Sequence, residues 1–254
     1  MRKFAFSTSR LININTPSVW VLFNELAFKN SALNLVSGFP NWDPPDYLAP
    51  DPFFTKNDLL KTLSRHYSSV YERDLNGVKN FCLTPGATYA INIILYTFLS
   101  KEDEVVAFEP YFTEYHSNTI LGGGIFKGVP LHPPPPRSKH LNQPIIFEKE
   151  KDEWKIDWQC LENTLSSKTR ILILNNPNNP TGKVFTKEEL ERIADLIKPF
   201  PRIIVLSDEV YEHCFFEGVN EIKRFAKVSG MFERTISILS AGKAFAATGI
   251  RVGW

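Results

Sequence analysis

"RILILNNPNNPTGKVFTKEELERIADLIKPFPRIIVLSDEVYEH", residues 170–213, sets two short apolar runs on either side of one helical pattern. The first run, RILIL, passes straight into the turn-rich NNPNNPTG, and the second, RIIVLS, passes into DEVYEH. Between them TKEELERIADLI opens on Thr186, with Glu189 three residues later. That spacing predicts a capping box, in which the two side chains each satisfy one backbone N–H at a helix start. Leu190, Ile193, Leu196 and Ile197 then line one side of the helix. The flanking runs are apolar throughout rather than alternating, which predicts strands buried on both faces of a mainly parallel sheet.

Working outward, the same strand-then-helix rhythm runs from about residue 81 to the end. FCLT leads through PGAT into YAINIILYTFL, EVVAF leads into EPYFTEY, and TISIL leads into SAGK. The expected class is therefore α/β, a three-layer α/β/α arrangement around a mainly parallel sheet. In such sheets ligands gather at the carboxyl ends of the strands. Those ends carry Gly86-Ala87-Thr88, Tyr111-Phe112, Asn179, Asp208 with Tyr211, and Ser240 with Lys243. Read singly, PGAT is a turn, NNPNNPTG a tight loop and Asp208 an N-cap; the five in order on one sheet edge point to a site.

Composition narrows the partners. The 254 residues are 43% hydrophobic and 22% charged, enough for a globular core. Lys plus Arg, 29, nearly balances Asp plus Glu, 28, which removes the electrostatic argument for nucleic acid or an anionic membrane surface. No apolar run reaches the roughly 18 to 20 residues of a membrane span. Cys82, Cys160 and Cys214 are widely spaced and odd in number, so neither a disulfide framework nor a metal site is expected. A reducing, cytoplasmic location is the default, while the basic start MRKFAFSTSR, without an acid, keeps a mitochondrial address open. HPPPPR at 132–137 is read as a stiff surface connection. Pro17-Ser18 ahead of Val19, Phe23 and Leu26 reads as a capped helix in an arm that leads into the domain.

The chemistry of the strand ends suits a phosphorylated pyridine aldehyde. Such a group wants an aspartate for its ring nitrogen, a lysine for its aldehyde, hydroxyl or amide donors for its ring oxygen and an aromatic face for its ring. It also wants backbone N–H groups at a helix start, with Ser, Thr or Arg, for its phosphate. No G-x-G-x-x-G follows a strand, and LGGGIFKG lacks that spacing, which argues against a nicotinamide-binding domain.

TPGATYA, EPYFxxY, NNPNNPTGKVF, SDEVYE and SAGKAFxATGIRVGW resemble, in this order, the motifs of the large domain of fold type I pyridoxal-phosphate aminotransferases. Within these the chain is most similar to the kynurenine aminotransferase group, also called glutamine transaminase K or cysteine-S-conjugate β-lyase. GMFERTISILSAGKAFAATG carries much of that similarity. The resemblance implies an aspartate-aminotransferase-like fold, with residues 1–42 as an arm and part of a small domain, and residues 43–254 as a large domain that binds the cofactor. It implies a homodimer acting on small amino acids and 2-oxo acids. The amino group of kynurenine, glutamine or an aromatic or sulfur-containing amino acid would move to a 2-oxo acid, with β-elimination from cysteine conjugates as a second activity. The alternative is a non-catalytic remnant that binds the cofactor weakly or associates with a longer relative.

Carried over position by position, the resemblance implies that Lys243 bonds the aldehyde and then shuttles the substrate proton. It places Asp208 on the ring nitrogen, Asn179 and Tyr211 on the ring oxygen, and Phe112 on the ring face. Ala87, Thr88, Ser240 and Arg251 would hold the phosphate, Ala87 through its backbone. The small residues around Lys243 would then be small because the cofactor lies against that turn. Three departures stand out. Val36 occupies the place of a family glycine in NLVSGFP, and no N-Q-Y-x-x-x-x-G stretch follows the Pro-rich loop. Family members also continue beyond the position of Trp254, with an arginine that clamps the substrate carboxylate. RVGW is expected to lie between the first strand and the lysine-bearing strand, leaving inner backbone groups there short of partners.

Overall fold

The computed structural model describes Lys29 and residues 55–135, 153–214 and 222–254. Its helices are α1 (Lys56–Tyr71), α2 (Gly77–Asn80), α3 (Ala87–Phe98), α4 (Glu114–Leu121), α5 (Trp158–Thr164), α6 (Lys187–Ile197) and the single turn α7 (Ala241–Ala244). Its strands are β1 (Glu104–Glu109), β2 (Ile125–His132), β3 (Lys155–Ile156), β4 (Thr169–Asn175), β5 (Ile204–Asp208) and β6 (Thr235–Ile238). They form one sheet in the order β3-β2-β1-β4-β5-β6. All neighbours pair in parallel except β3, which runs antiparallel to β2. The strand order reverses between β1 and β4, the place where an open α/β sheet leaves a crevice at its carboxyl edge.

Strand alternation explains the two helical layers. Val105 and Ala107 of β1, Ile171 and Ile173 of β4 and Leu206 of β5 pack on one face with α3 and Tyr115 of α4. The intervening Val106, Phe108, Leu172, Leu174 and Val205 pack on the other with α5 and α6. Both sets are buried, so the uninterrupted apolar runs are what a doubly covered sheet requires. α6 starts as its sequence predicts. The Glu189 N–H donates to Thr186 Oγ1 at 3.2 Å, and the Thr186 N–H donates to Glu189 Oε2 at 3.0 Å. Leu190, Ile193 and Ile197 are buried, with Leu196 packed at the margin and Ala194 completing the face. Each fully buried Leu or Ile side chain contributes roughly 1.5 to 3 kcal/mol.

Other expectations needed correction. FCLT forms no strand: Thr84 alone makes a bridge, its N–H and C=O exchanging bonds with Gly253 at 2.8 and 2.9 Å. Its other apolar residues, Phe81 and Leu83, pack sideways against α1 instead. β2, β3, α1, α2 and α5 have no counterpart among the elements expected from sequence; α1 has its own capping box, Thr55 with Asp58. RVGW lies where expected. Gly253 bridges Thr84 on one side and Ser240 on the other. Trp254 exchanges bonds with Leu239, and the Ala241 N–H reaches the Val252 carbonyl, so partners do exist at this end of the lysine-bearing strand. The proline run follows β2 at the surface as far as Pro135. Pro136, Arg137, Val36 and the arm at 1–42, apart from Lys29, lie outside the described residues.

Candidate active site

Two strand ends build a floor. Asp208 closes β5 and is buried. Its Oδ2 accepts from the Tyr115 hydroxyl, and its Oδ1 from the Val210 N–H at 3.3 Å. Its carbonyl takes the Asn175 side-chain amide at 3.0 Å and the Asn176 N–H at 2.9 Å. Asn175, at the end of β4, also accepts the Asn179 N–H at 2.6 Å, which folds the NNPNNP loop onto the end of β5. Burial pushes the Asp208 carboxyl up to about 6, against the pull of the Tyr115 hydrogen bond. A buried acid with so perturbed a titration marks a place that a cation would stabilise.

The side chains meet above this floor. Asn179 Nδ2 donates to the Tyr211 hydroxyl at 3.3 Å. Burial, then the Asp208 charge, push the Tyr211 hydroxyl up to about 12. Lys243 Nζ lies 5.7 Å from the centre of the Tyr211 ring. Burial holds the Lys243 amine below its usual range, helped by the Arg251 charge and opposed by Cys214 and Asp208. Phe112, just past β1, meets Tyr115 edge-on, with ring centres 5.7 Å apart.

A rim lies on the Gly86 side. α3 begins at Ala87 with no side-chain cap and no acid in its first turn, so its first N–H groups remain for an outside acceptor. Gly86 has φ +92°, and a Cβ there would overlap the Arg251 guanidinium. Gly253 is as tightly held, since a Cβ on it would come 2.8 Å from the Ala87 nitrogen. Ser240 joins through its bridge to Gly253, and Thr88 sits on the first turn of α3. An uncapped helix start beside a guanidinium is a cradle for an anion.

Of the residues expected from sequence, Asp208 lies in the floor, the side chains of Asn179, Tyr211, Lys243 and Phe112 lie above it, and Ala87, Thr88, Ser240 and Arg251 lie along the rim. The smallness around Lys243 has a cause within the chain: a Cβ on Gly242 would come 2.9 Å from the Thr248 Cα. Sequence reasoning assigned no role to Tyr115 or Asn175, although the second tyrosine of EPYFxxY and the first asparagine of NNPNNP were in view. A separate, mostly apolar cavity of about 430 Å³ lies between α1, Phe81–Thr84 and β6, and none of the expected site residues lines it. Among the described residues no cluster of His, Cys, Asp and Glu could hold a metal ion.

The sheet and its two helical layers have the aspartate-aminotransferase-like fold. The family model for aminotransferase class I and II matches residues 51–254, and the chain belongs to that family. It is 38% identical to the kynurenine–oxoglutarate transaminase of Dictyostelium discoideum, over 99% of this chain and 60% of that one. It is 34% identical to human kynurenine–oxoglutarate transaminase 1, over 92% of this chain and 57% of that one. Among solved structures, Bna3p of Saccharomyces cerevisiae superposes with a TM-score of 0.82 at 34% identity, covering 98% of this chain and 61% of Bna3p. The chain therefore spans about 60% of the length of the curated relative from Dictyostelium discoideum.

Proposed function

We propose that this chain carries the cofactor-binding part of a pyridoxal-phosphate aminotransferase. The enzyme would move the amino group of kynurenine, glutamine or an aromatic or sulfur-containing amino acid to a 2-oxo acid. The observation that carries the reading is the meeting of a buried aspartate and a half-buried lysine, of lowered pKa, at the ends of adjacent strands. The residues present fit the group: Asp208 is buried without the guanidinium partner that Glu209 and Glu212 share and wants a ring cation, and the α3 start with Arg251 wants a phosphate. The names of the relatives favour the kynurenine substrate class. A β-elimination activity and a homodimer belong to the same proposal. Tyr89, Ile93 and Tyr96, exposed at helical spacing on α3, give that dimer an apolar stripe to cover.

When bound, the cofactor supplies an aldehyde and an electron-withdrawing pyridine ring. Asp208, held in place by Tyr115 and Val210, would keep a proton on the ring nitrogen, whose charge would offset the burial of the carboxylate. Asn179 and the Tyr211 hydroxyl would donate to the ring oxygen, and Phe112 would cover the ring. The α3 amides of Ala87 and Thr88, with Ser240 and Arg251, would hold the phosphate. Lys243, whose burial favours the free amine, would bond the aldehyde carbon with loss of water and, once displaced by the substrate amine, would take and return a proton at the substrate α-carbon.

The test adds pyridoxal phosphate to the purified chain, follows absorption, reduces with borohydride and maps the modified peptide. The expected result is a band fixed by reduction, with the added mass on Lys243 and none in Lys243→Ala. No band at saturating cofactor would overturn the reading.

A further inference from the structure

Asp208 and Tyr211 share one turn with Glu209 and Glu212, which serve a different set of partners. Both glutamates are buried, and one guanidinium takes them together. Arg224 Nη1 donates to Glu209 Oε2, and Nη2 donates to Glu212 Oε2 at 2.5 Å. The cluster is finished from α1, β5 and β6. The Tyr67 hydroxyl of α1 donates to Glu212 Oε1 at 2.6 Å, and Ser207 Oγ donates to Glu209 Oε1 at 2.8 Å. The Tyr71 hydroxyl donates to Ser237 Oγ of β6 at 3.0 Å. Burial raises the Glu209 carboxyl, and Arg224 is the strongest influence pulling it back. The segment bearing Arg224 is also tied to the other floor loop, because Asn176 Nδ2 donates to the Lys223 carbonyl at 2.8 Å.

Buried ion clusters are weak sources of stability, since well-packed apolar groups often do as well or better; in some proteins what they specify is geometry. Here the clamped positions are the direct neighbours of the two groups that face the cofactor. The Glu212 N–H closes onto the Glu209 carbonyl at 2.9 Å, so fixing these two residues fixes the whole turn.

We propose that Arg224 is a positioning residue, which clamps Glu209 and Glu212 from beneath and so sets the turn that presents Asp208 and Tyr211 to the cofactor. The proposal rests on the reading of Asp208 and Tyr211 as cofactor ligands. A lysine reaches one carboxylate at a time and cannot replace the planar fork.

The test compares the whole chain as wild type, Arg224→Met, Arg224→Lys and Glu212→Gln. Hydrogen exchange without cofactor reads the 207–214 turn against α6, and a pyridoxal-phosphate titration reads affinity. In Arg224→Met the turn is expected to exchange roughly tenfold faster or more relative to α6, and affinity to fall by a similar factor. Arg224→Lys should recover part of both, and Glu212→Gln should show a smaller loss. Equal acceleration of the turn and α6, or wild-type affinity in Arg224→Met, overturns the proposal. If Arg224→Met does not fold, wild-type affinity in both Arg224→Lys and Glu212→Gln overturns it, and a loss in either sustains it. If the wild type shows no band fixed by borohydride, the cofactor reading fails, while the exchange comparison still decides whether Arg224 sets the turn.

Discussion

The floor and the rim of the site are built by opposite means. The floor, Asp208 with Asn175, Asn179 and Tyr115, hangs on the ends of two paired central strands, and its buried polar groups bond one another. The rim has no ladder of comparable length. Gly86, Ser240 and Arg251 meet through single bridges at Gly253 and through glycines whose missing Cβ atoms leave room for close approach. The floor's hydrogen bonds are buried or half-buried, which strengthens them; the rim is precise only while two glycines stay glycine. A ring that needs a fixed proton is served by the first arrangement, and a phosphate that any ring of donors can hold is served by the second.

The sharpest way to break this contrast is Asp208→Asn. Removing the only charge on the floor should weaken pyridoxal-phosphate binding roughly a hundredfold, the scale of an uncompensated buried pair. The same change should stabilise the cofactor-free fold. The folded carboxyl titrates at about 6 rather than 3.8, so the folded state binds the extra proton between those values and loses stability as pH rises through them. Asp208 thus costs the fold roughly 3 kcal/mol at neutral pH and nothing below about pH 4. Urea unfolding should show the variant more stable at pH 7, by up to that amount, and level with wild type near pH 4.

Gly86→Ala tests the rim. The positive φ and the overlap with Arg251 should cost about 1 to 3 kcal/mol of stability and weaken pyridoxal phosphate roughly tenfold. Unphosphorylated pyridoxal should bind the variant as it binds wild type; equal losses for both ligands would erase the distinction between rim and floor. Tyr115→Phe removes one hydrogen bond to Asp208, worth about 1 kcal/mol, and should lower cofactor affinity several-fold while moving the Asp208 titration further up. Thr186→Ala, in neither region, should cost about 1 kcal/mol through the lost α6 cap and leave cofactor affinity unchanged.

What was legible in the sequence follows the same division. α6 could be read to its cap because the information is local: Thr186, Glu189 and one apolar face within a dozen residues. β1, β4, β5 and β6 were legible from their short apolar runs, Asn179, Asp208, Tyr211 and Lys243 from their place just beyond, and Arg251 only from the resemblance. β2 hid because IFKGVPLH mixes Gly, Pro and Lys with its apolar residues, and only Val129 and Leu131 are buried. FCLT misled for the converse reason: it has a strand's composition, yet only Thr84 finds a pairing partner. The Tyr115 bond to Asp208 and the Arg224 clamp join residues that no motif links, 93 positions apart in the first case. Only the folded sheet brings them together.

The bridge at Gly253 also sets an order of events in time. Asn176 and Glu209 bond to neighbouring strands, whereas Thr84 must wait for a residue from the far side of the sheet's whole connectivity. Closing so long a loop is entropically demanding, and distant contacts form late. In pulse-labelled refolding the Asn176 and Glu209 amides should therefore become protected before those of Thr84 and Gly253. Inorganic phosphate, if it binds only the finished cradle, would then act as a latch, trapping by mass action the last piece to assemble.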